Sequence, residues 1–369
     1  DANVQPMAER VDLVFQAKSG DLRDATRPTM GTLDNQGIPV YRYTVPETVG
    51  TSGMLTASGS VLEAINLPES WDIQQGTLDL RLSPSLAASM TDSLTYLEEY
   101  PYDCLEQTIS RFLPNVLTTQ ALIASDLSDP ILEAGLKEQV AIAIQQISSQ
   151  QNANGGWGWW GSEKSDPLTS AYVVLGLAEA QSAGYEISPK MLSLGIRYLQ
   201  TQILSSVRLV DSEKINRQAF LLYVLNQAGK PDVSSTVQLF EHRQNSRLYA
   251  RAFLAQTLFE IDAEDTRVNT LLSDLVSAAI LSASGAHWEE GKVDRWNWNT
   301  DTRTTAIILS ALGQIDPENP LNANAVRWLM AHRSNGHWSS TQETAWTILG
   351  LTRWMAARER CRWLRAATA

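Results

Sequence analysis

Cysteine, histidine and basic charge are all scarce in this chain of 369 residues. Two cysteines leave no disulfide framework, and four histidines leave few imidazole ligands or bases. Lys and Arg number 29 against 41 Asp and Glu, for a net charge of −12. That sign argues against a nucleic-acid backbone or an anionic membrane surface as partner. The longest apolar runs, such as 171–178, fall well short of the ~20 residues that a membrane span requires. The chain opens Asp1-Ala2-Asn3-Val4, with neither an initiator Met nor a signal pattern, and is expected to be a portion of a longer protein. Hydrophobic residues at 43% and charged residues at 19% give ample material for a core. Tryptophan is abundant at 12.

Two textures divide the chain. Residues 1–82 carry short alternating runs, at 11–15, 39–45 and 77–82, punctuated by Gly, Pro, Asn and Thr. Period-two alternation between turn residues predicts half-buried strands, here a β-sandwich portion without any chemical constellation. From Ser83 the period becomes helical, and the breakers predict helices over 84–98, 104–124, 129–151, 167–183, 188–205, 212–228, 232–243, 246–261, 264–283, 301–314, 320–333 and 340–358. Ser83-Pro84, Asp129-Pro130, Asp166-Pro167 and Asn319-Pro320 each set a capping residue before a proline at the first helical position. The basic tail 359–369, with Cys361, is left unassigned.

The helical part repeats itself. Asn154-Gly155-Gly156-Trp157, Gly285-Ala286-His287-Trp288 and Asn335-Gly336-His337-Trp338 each precede a helix in which small residues sit among large apolar ones. Helices that are apolar nearly all round suit an inner ring. The expected fold class is mainly α: an α/α toroid of six hairpins, twelve helices over 83–358, behind the β-rich portion. An open solenoid of helix pairs is the alternative. In a toroid every second helix starts at the same end, which gathers residues 100–103, the loop of Trp157, Trp159 and Trp160, the 284–300 loop and the His337-Trp338 loop.

At that end lies Tyr100-Pro101-Tyr102-Asp103-Cys104-Leu105-Glu106-Gln107-Thr108. Cys104 and Gln107, three apart at a helix start, share one face, with Asp103 placed to cap. A helix N-terminus favours a thiolate. Three readings fit these residues: a buried structural cysteine, a Cys/His nucleophile using His287 or His337, or a thiol and carboxamide that condense to a cyclic thioester.

The run Tyr-Pro-Tyr-Asp-Cys-Leu-Glu-Gln-Thr-Ile-Ser-Arg resembles the Cys-x-Glu-Gln signature of the α2-macroglobulin and complement thioester proteins, and its extended form the bacterial α2-macroglobulins. The resemblance implies a toroidal thioester domain (83–358) inserted in a CUB-type sandwich, of which 1–82 is the leading part and the return half is absent. It implies a broad-range protease inhibitor, not an enzyme: bait cleavage elsewhere in the parent exposes the thioester, which acylates lysine amines of the target protease. Cys104 supplies the thiol and Gln107 the acyl carbonyl; Glu106 matches the motif acid and receives no role. No bait region is recognisable here, and no cofactor or metal is implied. A periplasmic or secreted location is implied.

Members of this family that acylate hydroxyls use a histidine in a later loop. Counting from Trp288 reaches Trp296 or Asn297, so direct attack by amines is expected. Tyr100, Tyr102, Trp296 and Asn297 are candidates for shielding the bond or for loop contacts, and the Trp residues serve either packing or as a lid against water. Toroids also carry terpene cyclases, prenyltransferases and glycoside hydrolases. No Asp-x-Asp-Asp run and no Cys/His/Asp zinc set is present. Asp166 and Asp301, which start two inner helices, are the alternative acid pair of a hydrolase or cyclase.

Overall fold

The computed structural model describes residues 10–368 apart from 30, 33–34, 41–44, 46, 56–58, 72–75, 84, 125–129, 162 and 293, so the cap signals at Pro84 and Asp129 and part of the 39–45 run lie outside the described residues. Two compact units divide at Val49 and Gly50. The first holds short antiparallel pairs: β1 (Arg10–Val11) with β6 (Ile38–Pro39), β2 (Phe15–Ser19) with β3 (Leu22–Thr26), and β4 (Gly31–Thr32) with β5 (Asn35–Gln36). β2 and β3 are exposed along their whole length. The expected strand at 77–82 does not form, and Leu78, Leu80 and Leu82 are all at least 80% exposed. Alternation marks a surface that a facing sheet could cover, and the described residues supply no such sheet. In place of a packed sandwich there are few, short strands.

The second unit is helical. Its helices are α1 (Leu86–Ser89), α2 (Thr91–Glu98), α3 (Leu105–Ala124), α4 (Pro130–Ser149), α5 (Pro167–Ser182), α6 (Pro189–Gln202), α7 (Ser212–Gln227), α8 (Val233–Phe240), α9 (Leu248–Ile261), α10 (Thr266–Ser277), α11 (Asp301–Ile315), α12 (Pro320–Ala331) and α13 (Thr341–Thr368). Asp166 and Asn319 cap as the sequence predicts, and Ser188, Asp211, Asp232, Asp265 and Thr300 do the same without having been singled out: each accepts a backbone N–H of the first turn.

Among the described residues, α3, α5, α7, α9, α11 and α13 pack in sequence and α13 returns to α3, so the inner ring closes. The outer helices α2, α4, α6, α8, α10 and α12 each pack on an inner neighbour. This is the α/α toroid, not the open array. Burial follows the layer. Every residue from 168 to 178 of α5 is buried, whereas α6 buries only a stripe, including Met191, Leu192, Gly195, Ile196 and Leu199. The small residues set the spacing: a Cβ on Gly350 of α13 would lie 2.5 Å from the Ala306 carbonyl of α11.

Three boundaries differ from expectation. The 84–98 segment breaks at Met90 into α1 and α2. The 264–283 segment stops at Ser277 and then forms a hairpin, β7 (Ile280–Ser282) with β8 (Gly285–His287). Gly285 makes its turn at φ 125° against α12, where a Cβ would meet the Asn324 carbonyl at 2.2 Å. The tail continues α13 to Thr368.

The Gly/Trp loops share one construction. Trp157, Trp288 and Trp338 are fully buried, and each indole N–H donates to a backbone carbonyl of the preceding outer helix: Ile147 at 2.9 Å, Leu275 at 2.7 Å and Leu329 at 2.8 Å. Each backbone N–H donates to a hydroxyl on the following inner helix: Ser170, Thr305 and Thr344. These three tryptophans staple outer helix to inner helix across the loop, so their role is packing.

Candidate functional site

The inner helices start at one end of the ring, and their first turns are hydrogen-bonded to one another or to the loops above. The N–H of Leu105 donates to the Trp159 carbonyl at 3.0 Å, and the N–H of Arg247 to Asn216 Oδ1 at 2.9 Å. Glu290 accepts the N–H groups of Leu248 and Tyr249. Its own N–H donates to Asp301. This is the rich end expected from the loops.

Cys104 sits immediately before α3, and its carbonyl accepts the Thr108 N–H at 2.9 Å. The thiol is buried, which pushes its pKa up; backbone N–H groups of Gln107 and Glu106 donate to the sulfur and pull the other way, while the charges of Glu106 and Asp103 add to the rise. Gln107 lies one turn on, on the same face. Its Oε1 is buried and has no hydrogen-bond partner among the described residues. Asp103 does not cap: its carboxylate takes the guanidinium of Arg111 at 3.0 Å instead.

Between these two, Glu106 turns into the ring and is 5% exposed. Its Oε1 accepts Ser110 Oγ at 2.6 Å, Gln342 Nε2 at 2.8 Å and Thr341 Oγ1 at 3.3 Å. Trp346 Nε1 donates to Gln342 Oε1 at 3.0 Å, and Ser110 also pairs with the Tyr172 hydroxyl at 3.2 Å. Deeper in the ring Arg303 is fully buried, its guanidinium over the Trp346 ring at 4.7 Å and bonded to Asn299 Oδ1 at 3.0 Å. Burial lowers its pKa to about 10 against the opposing pull of Tyr249, Tyr172, Asp294 and Glu106. Across the same space Tyr249 donates to Asp294 at 2.8 Å. Sequence reasoning missed Thr341, Gln342 and Arg303. The first two were findable as polar residues opening the last inner helix at the reactive end.

Four residues were expected to shield or contact the site, and the structure separates them. Tyr100 is half-buried between Tyr96 and Tyr102, with ring centroids 5.7 and 5.9 Å away. Tyr102 and Trp296 are 62% and 68% exposed, too open to act as cover in this unit. Asn297 is buried, but its side chain is committed to Asp294, the Glu213 carbonyl and Arg217, a loop contact and not a shield. Trp159, whose carbonyl accepts the Leu105 N–H, packs its ring edge to face on Trp298 at 5.0 Å.

His287 bonds Glu289 and stacks on Trp328, and His337 bonds the Trp338 carbonyl and stacks on Tyr96. Among the described residues neither is hydrogen-bonded to Cys104, which leaves the Cys/His reading without its base. Asp166 and Asp301 do start α5 and α11, but Asp166 is a helix cap and Asp301 holds the Glu290 N–H, so both carboxylates are occupied structurally. No group of three or more His, Cys, Asp or Glu that could hold a metal occurs among the described residues, and no helix among them is long and apolar enough to cross a membrane.

The A-macroglobulin TED domain family model matches residues 78–219 and 209–354. An alpha-2-macroglobulin of Thermotoga maritima is 24% identical over 280 residues, 74% of this chain and 15% of that protein. The chain thus spans a small part of such relatives. Native Escherichia coli alpha-2-macroglobulin from domain MG7 to the C-terminus superposes with a TM-score of 0.56 at 22% identity, over 72% of this chain and 42% of that one. Salmonella alpha-2-macroglobulin reacted with methylamine gives 0.57 at 21%, over 71% and 17%.

Proposed function

Because the chain belongs to the A-macroglobulin TED domain family, we propose that Cys104 and Gln107 close an internal thioester and that this is the acylating domain of a broad-range protease trap. In ring closure Cys104 Sγ attacks Gln107 Cδ, the C–N bond of the carboxamide breaks, and ammonia leaves with the thiol proton. The reverse chemistry is the function: a lysine amine of a captured protease attacks the same carbon, an amide forms, and the thiol returns to Cys104. The observation that carries this reading is the burial of Cys104 and of Gln107 Oε1, the latter without a hydrogen-bond partner among the described residues, at the start of α3. Water is held from an activated acyl bond there until a rearrangement in the parent protein exposes it. The absence of an imidazole at Trp296 or Asn297 supports direct attack by amines. Bait cleavage, the target proteases and a periplasmic or secreted location belong to the parent protein and to this proposal.

Methylamine on the full-length protein tests it. Expected is a freshly purified chain lighter by one ammonia, one methylamine added at Gln107, and one thiol released at Cys104 in step; Cys104→Ala and Gln107→Ala each abolish uptake. A free Cys104 thiol with an unmodified Gln107 amide and no uptake overturns the proposal in favour of a structural cysteine.

A further inference from the structure

Gln342 has no place in the sequence motif, yet it reaches the motif from 236 residues away. We propose that Gln342, with Thr341, is the positioning device of the acyl bond: it fixes Glu106 and so sets how the first turn of α3 presents Gln107 to Cys104. The inference rests on the thioester reading above.

The argument is geometric. Glu106 is buried and forms no salt bridge among the described residues, so the hydrogen bonds from Ser110, Thr341 and Gln342 are what hold its carboxylate. Ser110 belongs to α3 itself and cannot stop that helix from turning. Thr341 and Gln342 belong to α13 and can, because α13 is packed against both α3 and α11. Gln342 is itself held: Trp346 Nε1 donates to its Oε1, which orients the amide with Nε2 toward Glu106, and Trp346 lies beneath the Arg303 guanidinium. The chain Arg303, Trp346, Gln342, Glu106 therefore ends on the residue that precedes Gln107. Closing a large ring, through Sγ, Cδ and the backbone between them, demands a near-attack placement of the two atoms, and a displacement of about 1 Å costs up to roughly a hundredfold in rate.

A charge-and-amide exchange between the two residues tests this. Gln342→Glu sets a second carboxylate against Glu106 and removes the Nε2 donor. Glu106→Gln with Gln342→Glu restores a donor–acceptor pair, and the new carboxylate still accepts Trp346. In the full-length protein, thioester per folded molecule is read by intact mass and by methylamine-released thiol, alongside the melting temperature. Expected for Gln342→Glu is a fall in thioester closure of about tenfold, by misplacement of the reacting atoms, and recovery of most of it in the double variant. Thr341→Val is expected to give a smaller fall. If Gln342→Glu melts earlier but keeps full thioester per folded molecule, or if the double variant stays as poor as the single, the positioning role is refuted. A wild type that shows no thioester fails the functional reading itself, which separates the two failures.

Discussion

At Cys104 two opposed influences act on one sulfur. Burial disfavours the thiolate, and N–H groups of Gln107 and Glu106 stabilise it; burial is the larger. The alkylation rate of the free Cys104 thiol in the native chain is expected to keep rising with pH beyond the point where an exposed thiol has levelled off. A pH–rate profile placing its apparent pKa at or below that of a free thiol would contradict the burial seen here. Glu290 is a second residue whose position matters more than its charge. Its carboxylate accepts the N–H groups of Leu248 and Tyr249 and the Thr304 hydroxyl, and so caps α9 from a loop distant in sequence. Glu290→Ala is expected to destabilise the fold by about 2–3 kcal/mol, since it strands buried donors, and denaturant unfolding measures it. The two residues differ in legibility. Cys104 and Gln107 could be singled out because their spacing puts them on one helical face and the run around them resembles a known thioester signature. Glu290 and Arg303 could not, because the groups that give them their roles, the first turn of α9 and the Trp346 ring of α13, are distant in sequence and no local pattern connects them.

Among the elements, the Gly/Trp loops show why repeats were readable before their purpose was. The spacing of Gly, Trp and a small-residue helix recurs plainly, but whether the indole faces a ligand or a neighbouring backbone depends on the outer helix it meets. In the folded chain it meets a carbonyl each time, at Ile147, Leu275 and Leu329. Trp288→Phe keeps an aromatic ring but loses the donor and some packing volume, leaving the Leu275 carbonyl buried and unpaired. The expected loss is about 1–3 kcal/mol, read as a lower melting temperature. Gly285→Ala is expected to be at least as harmful, for its Cβ would press on the Asn324 carbonyl at a φ that side chains rarely adopt. A melting temperature unchanged in either variant would show that the hairpin yields. The 77–82 run illustrates the opposite outcome. Its alternation is real, yet a strand needs a partner, and hydrophobic patterning records the face to be covered without supplying the cover.

For the molecule as a whole, closure of the inner ring is the decisive property. In an open array the last helix contacts only its neighbour, and its loss lowers stability by one increment. Here α13 packs on α11 and on α3. Ending the chain before Thr341 is therefore expected to unfold the ring as a unit, with dye-binding apolar surface exposed and the single cooperative transition lost; a truncated protein that still melts cooperatively would argue for open-array energetics. The toroid itself was legible because helix number, proline caps and all-round apolar helices are local properties, whereas its closing seam is a relation between chain positions 235 residues apart, Glu106 and Thr341. That separation also dictates an order of events during biosynthesis. The segment of Cys104 and Gln107 leaves the ribosome more than two hundred residues before α13 is made, so over that interval Glu106 lacks the residues that hold it. Under the thioester proposal, acyl-bond formation waits for α13, and a ribosome stalled short of Thr341 carries an ordinary cysteine and an ordinary glutamine.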